Sequence, residues 1–162
     1  MADDAIFSFI GHGSRDGGVL CFWNGTNSSI LAEYRGYVPE DQTDYRFLSS
    51  YSDELNDLLL TTYITCNSAK ENEYVGNLTN MSYQKGMDTT LGFTTEIGQP
   101  QAKDFSWKYW YNLAIYNWTV STSADSAKYY AAVWNWGNFS GIQNYVIVGN
   151  PQLTIKPARY GS

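Results

Sequence analysis

The sequence predicts an α/β fold with a mainly parallel β-sheet flanked by helices in layers. Two strand candidates and a change of period carry that expectation. Ala5-Ile-Phe-Ser-Phe-Ile10 and the segment 58–65 (LLLTTYIT) are continuous apolar or β-branched runs of strand length. Such runs read as strands buried on both faces, the kind parallel sheets use. After Pro100 the spacing turns helical, with Phe105, Trp110, Leu113 and Ala114 recurring over 102–116. Strands that alternate with helices imply a layered fold. At 162 residues the chain is expected to be one domain, 1–162.

The remaining elements follow in order. Val19–Trp23 reads as a second short strand, followed by a loop over 24–29. The stretch 34–52 is polar and irregular, with a proline at 39. Residues 52–57 predict a brief helical turn capped by Ser52, with acids in its first turn. A helix is expected over 71–85, closed by Gly86, and a strand over 88–97. The second late helix is expected to start at Ser123 or Asp125 and run to about Trp136, before a last strand at 145–148.

Composition excludes several functions. A net charge of −6 and a pI near 4.6 argue against nucleic acid, whose backbone needs a basic footprint. There is no basic amphipathic helix to hold a membrane surface. Nor does any apolar run approach the ~20 residues of a spanning helix. The opening Met1-Ala2-Asp3-Asp4 is acidic where a secretory signal would carry base. Even so, six Trp, 14 Tyr, few charges and six Asn-x-Ser/Thr sequons suggest an extracellular or cell-surface setting. The sequons begin at Asn24, Asn27, Asn77, Asn80, Asn117 and Asn138, and Asn117 is expected to be partly buried.

No cofactor or metal is expected. A single histidine cannot make a multi-histidine site, and Cys21 and Cys66, 45 positions apart, do not form a zinc pattern. The two cysteines could form one disulfide or both be free. Cys21 lies mid-strand and reads as core.

The chemistry gathers at two points. His12 follows one buried-type strand and Cys66 follows the other. In parallel sheets functional residues collect just past the carboxyl ends of strands. If the two strands are neighbours, the side chains meet above one sheet edge. A thiol nucleophile needs a base beside it, and histidine is suited to that task near neutral pH. The backbone N–H groups of Gly13 and Cys66 could hold the oxyanion of a tetrahedral intermediate. Ser14 as a nucleophile lacks the Gly-x-Ser-x-Gly elbow and a second histidine.

Strand plus His12-Gly13, then strand plus Cys66, resembles the two-block signature of clan CD cysteine peptidases: caspases, gingipains, legumain, separase and CHAT domains. Leu91-Gly92-Phe93, the paired helices and the ending Val146-Ile-Val-Gly-Asn-Pro-Gln-Leu-Thr-Ile155 extend the likeness over 5–155. That ending is similar to the GDPxLxL close of the gingipain-like and CHAT branches. The resemblance implies a caspase-haemoglobinase-like three-layer fold and a His12–Cys66 dyad, with Gly13 and Cys66 as oxyanion donors. It implies a thioester intermediate, a protein or peptide substrate and no metal in the chemistry. It also places Thr94, Thr95 and Glu96 along the substrate, where an acid would suit a basic side chain.

The chain departs from the pattern at three points. Thr65 stands where a small residue is common, and Asn150 where Asp is usual. The two strands that precede the histidine strand in the family have no counterpart here. An open sheet edge invites pairing, so a second copy of the chain or a preceding segment is expected to cover it. An alternative function is a peptidase-like extracellular binding module that does not turn over. Trp107, Trp110, Trp118, Trp134 and Trp136 could then form a platform, although their expected place is the core between the late helices. An active peptidase should have an open groove beside His12.

Overall fold

The computed structural model describes residues 5–23, 27–36, 38, 44–51 and 55–155. In chain order these form β1 (Ala5–Ile10), β2 (His12–Gly13), β3 (Val19–Trp23), β4 (Asn27–Leu31), β5 (Asp44–Phe47) and β6 (Leu58–Ile64). Then follow α1 (Leu78–Gln84), β7 (Thr89–Phe93), α2 (Gln99–Tyr116), α3 (Val120–Trp134) and β8 (Tyr145–Gly149). The main sheet runs β1-β6-β7-β8, parallel across the first three strands, with β8 antiparallel to β7.

Helices α2 and α3 cover one face of this sheet. Leu60, Leu91 and Phe93 meet Phe105, Tyr109 and Leu113 of α2 and Ala124, Ala127 and Ala131 of α3. The alanine stripe on α3 lets the helices approach while α2 supplies the bulk, large against small as close packing requires. Phe105 stacks on Tyr109 at 5.8 Å and meets Phe93 edge-on at 5.3 Å. The start of α3 differs from expectation. Thr119, not Ser123 or Asp125, is the cap, its hydroxyl accepting from the Thr122 N–H at 3.2 Å. The carbonyls of Leu153 and Pro151 accept from the Val120 and Ser121 N–H groups. The ending after β8 thus ties α3 to the sheet by satisfying helix N–H groups that have no partner within the helix.

On the opposite face lie α1 and a second sheet, β2-β3-β4-β5, that the sequence did not predict. Residues 24–29 read as a loop, yet β4 begins at Asn27, and β5 lies in the stretch expected to be irregular. These strands are short and mix polar with apolar residues without a clear strand pattern, and pairing with neighbouring backbone holds them. The helix expected over 71–85 begins only at Leu78. The Asn72 side chain accepts from the Tyr74 and Val75 N–H groups at 2.8 and 3.0 Å, holding a turn, and Asn77 caps the helix through the Asn80 N–H. Ser52, at the head of the other expected turn, lies outside the described residues.

Strand β1 also corrects an expectation. It was expected to be buried on both faces, but Ile6, Phe7 and Ile10 are exposed. It is the edge strand of the described sheet and pairs with β6 alone; of its side chains Phe9 packs inward, against the cluster of Leu20, Leu48 and Tyr63. Among the described residues no helix is long and apolar enough to cross a membrane.

Between the layers, the buried Tyr63 hydroxyl pairs with Ser82 Oγ at 2.6 Å, and burial pushes its pKa up to about 12. The folded chain therefore holds this proton at a pH where an unfolded tyrosine, near ~10, has released it. The associated stability is complete below pH ~10 and is lost as pH rises toward 12. Urea denaturation should show Tyr63→Phe losing less stability than the wild type over that window, by roughly 2–3 kcal/mol. Tyr109 and Tyr145, also raised by burial, leave a residual slope in both proteins. Identical slopes in the two proteins would remove Tyr63 as a source.

Candidate active site

The expected juxtaposition of His12 and Cys66 rests on β1 and β6 being neighbours, and they are, in parallel register from Ile6↔Leu60 to Ile10↔Ile64. His12 and Cys66 each stand two residues past that last pair, above the same end of the sheet. The histidine loop folds back as β2, where His12 pairs with Cys21 and Gly13 with Leu20. This hairpin fixes the direction in which the loop leaves the sheet. Gly13 lies so close to the Cys66 turn that a Cβ there would strike the Cys66 carbonyl oxygen and sit 2.7 Å from Thr65 Oγ1. The glycine after the histidine is thus required by the approach of two loops, beyond any role of its N–H.

His12 and Cys66 line one open cleft of about 620 Å³ together with Ile10, Ile64 and Ile97, α2 residues that include Ala102 and Trp107, and Tyr130 of α3. The His12 residue is exposed and Cys66 is partly buried. The thiol turns toward the chain after β7, with Sγ 3.4 Å from the Ile97 nitrogen and 3.6 Å from its oxygen. Among the described residues no hydrogen bond joins the imidazole to the thiol. No disulfide joins Cys21 and Cys66, which answers the question left open by the sequence. Cys21 packs against the small cluster of Val19, Leu31 and Val75, in keeping with its reading as core.

Asn67 is the residue that sequence reasoning missed. It is 3% exposed and takes a left-handed conformation, φ 56°. Its Nδ2 donates to the carbonyls of Ser14 at 3.2 Å and Arg15 at 3.0 Å, while its own N–H donates to the Thr95 carbonyl. One residue, through its side chain and its backbone N–H, thereby joins the histidine loop, the cysteine turn and the chain after β7. Lys70 and Asn72 add bonds to the Arg15 and Asp16 carbonyls. An asparagine directly after the candidate nucleophile, a residue type that tolerates left-handed backbone, was the available signal.

Thr94, Thr95 and Glu96 do not line the cleft; Ile97 does. Thr94 Oγ1 donates to the Asn144 carbonyl and Thr95 Oγ1 to that of Gly141, so both hydroxyls serve the chain that leads into β8. The tryptophans also differ from expectation. Trp110 packs against the core, whereas Trp107, Trp118, Trp134 and Trp136 are exposed. Asn117, expected to be partly buried, is exposed at the left-handed end of α2. Asn77 is engaged on both sides, its Nδ2 bonded to the Ala69 carbonyl and its Oδ1 capping α1. Among the described residues no group of three or more His, Cys, Asp or Glu side chains could hold a metal ion.

No protein-family profile and no curated protein matches this sequence. A solved structure does: the chain superposes on the crystal structure of the Arg specific cysteine proteinase gingipain R (RGPB) with a TM-score of 0.58. The match covers 93% of this chain at 10% identity. The fold is caspase-haemoglobinase-like. The chain spans 33% of the length of that proteinase, and at this identity the likeness shows the fold alone. Within the caspase-like fold, β1 and β6 carry His12 and Cys66 to the same end of the sheet, and α2 with α3 walls the cleft beside them.

Proposed function

We propose that this chain is a cysteine endopeptidase domain that cleaves protein or peptide substrates through His12 and Cys66. The observation that carries the reading is the shared cleft. Two parallel strands ending in register deliver an imidazole and a thiol to one opening, and Gly13 is pressed against the Cys66 turn. In the proposed reaction His12 takes the Sγ proton and Sγ attacks the peptide carbonyl carbon. The oxyanion accepts from the Gly13 and Cys66 N–H groups. Collapse expels the amine, which receives its proton from His12, and leaves a thioester on Cys66. Water, with His12 as base, then releases the acid and restores the thiol. Rotation about the Cys66 side chain frees Sγ from Ile97 for the attack.

The test is the rate at which iodoacetamide alkylates the folded protein, located by peptide mass. At neutral pH Cys66 should be labelled faster than Cys21, and His12→Ala should slow Cys66 about tenfold or more, within the span of general base catalysis. A Cys66 rate indifferent to His12 would defeat the reading.

The exposure of Trp107, Trp118, Trp134 and Trp136 favours a second reading, an extracellular module that binds without turnover. It predicts the indifferent outcome. The open β1 edge, with Ile6, Phe7 and Ile10 exposed, supports a further strand added there in the working protein.

A further inference from the structure

We infer that the cleft beside Cys66 takes a large apolar side chain, of Leu or Phe size, and that Trp107 and Tyr130 set this preference. The inference deepens the peptidase reading by naming its substrate class, and it rests on that reading for what becomes of the bound peptide.

The lining is the first argument. Ile64 and Ala102, both buried, lie on the inner side, while Ile10 and Trp107, 54% and 55% exposed, leave apolar surface in water. Tyr130 and Ile97 complete the apolar set. A site of this shape gains by removing that surface from water, and a Leu or Phe side chain supplies the complementary surface.

The second argument is charge. Beyond the His12 and Cys66 pair, the lining carries Lys103 and Asp104, neighbours of opposite sign. Asp104 Oδ2 already accepts from Asn135 Nδ2 at 3.0 Å. A guanidinium or a carboxylate brought into this cleft would give up water without meeting a net opposite charge. Glu96, the acid that would have suited a basic side chain, is not on the lining.

The third argument is rigidity. Trp107 is tilted against Tyr130 at a centroid distance of 5.4 Å and is stacked on Tyr111 at 5.3 Å, 16° from parallel. Lys108 Nζ lies 5.8 Å from the Tyr130 ring and 5.3 Å from that of Tyr111. The wall is thus braced from behind, and little side-chain freedom remains to be lost when a ligand presses on it.

The experiment measures protection of Cys66 from iodoacetamide by the peptides acetyl-Gly-Gly-Xaa-Gly-Gly-amide, with Xaa Leu, Phe, Arg, Asp or Gly. It uses the full chain carrying His12→Ala, so that no peptide is consumed. Leu and Phe should half-protect at concentrations about tenfold or more below those of Gly, Arg and Asp, the scale set by burying one such side chain. Trp107→Ala and Tyr130→Ala should each remove most of that gap, and Trp107→Phe should keep it. An unchanged thermal midpoint in these variants separates loss of the wall from loss of the fold. Arg equal to or better than Leu would overturn the inference in favour of Asp104, and so would the absence of protection by any peptide. The rank order needs no working dyad. A labelling rate indifferent to His12 therefore defeats the peptidase reading alone, and a flat rank order defeats this inference alone.

Discussion

Gly13→Ala is expected, on the proposed peptidase reading, to lower Cys66-dependent peptide hydrolysis about a hundredfold, with His12 and Cys66 both intact, because a misplacement near 1 Å at a reacting centre has that effect. The added methyl would meet the Cys66 carbonyl oxygen and lie 2.7 Å from Thr65 Oγ1. Neither can move aside cheaply. The carbonyl is backbone, and Thr65 is fully buried at the end of β6, which is paired to β1 on one side and β7 on the other. Relief comes only from parting the two loops, which separates His12 from Cys66. The measurement is kcat/KM on a peptide found to be cleaved, with Cys66 alkylation in parallel. Both should fall together, while the thermal midpoint moves much less, since the hydrophobic clusters are untouched. A Gly13→Ala protein as active as the wild type would show that the loops do not meet in this way.

Asn67→Ala is expected to lower the free energy of unfolding by about 2–4 kcal/mol and to blunt the dependence of Cys66 labelling on His12. Part of that figure is conformational, since a Cβ residue other than Asn or Asp costs roughly 1–2 kcal/mol in the left-handed region. The rest comes from the Ser14 and Arg15 carbonyls, which lose the Nδ2 donor that spans to them from the cysteine turn. Asn67→Gly separates the two terms. It keeps the backbone conformation and loses the bonds, so it should recover about 1 kcal/mol of stability and leave the labelling dependence as blunted as in Asn67→Ala. Urea denaturation of the three proteins decides this, and Asn67→Gly restoring the His12 dependence would mean that the side-chain bonds do not position the histidine loop.

Asn67 also shows where sequence reading stops. The strands 5–10 and 58–64, the helix through 116 and the strand at 145 could be read because each signal is local: apolar runs, a 3.6-residue period and turn residues between them. The positions of His12 and Cys66 at strand ends were legible for the same reason, and the order of the blocks pointed to the fold that the gingipain R superposition then showed. The bridging role of Asn67 was not legible, because its partners at Ser14 and Arg15 lie more than fifty residues away in the chain. Nor was the second sheet, whose strands β4 and β5 are short, mix polar with apolar residues and are held by pairing with distant segments.

By itself, then, the sequence determined the fold class and the strand-end location of one histidine and one cysteine. The tertiary structure decided that β1 and β6 are neighbours ending in register, that Gly13 rather than a larger residue fits against Cys66, and that Ile97, Trp107 and Tyr130 wall the cleft in place of Thr94, Thr95 and Glu96. It also decided that four tryptophans are exposed and that β1 is an edge strand among the described residues, with Ile6, Phe7 and Ile10 exposed, against what their apolar character predicted. The physical reason is common to all of these. Hydrophobicity and period state what a segment would bury, whereas burial itself is a property of what else arrives at the same place, and pairing, close approach and exposure are settled only among segments distant in the chain.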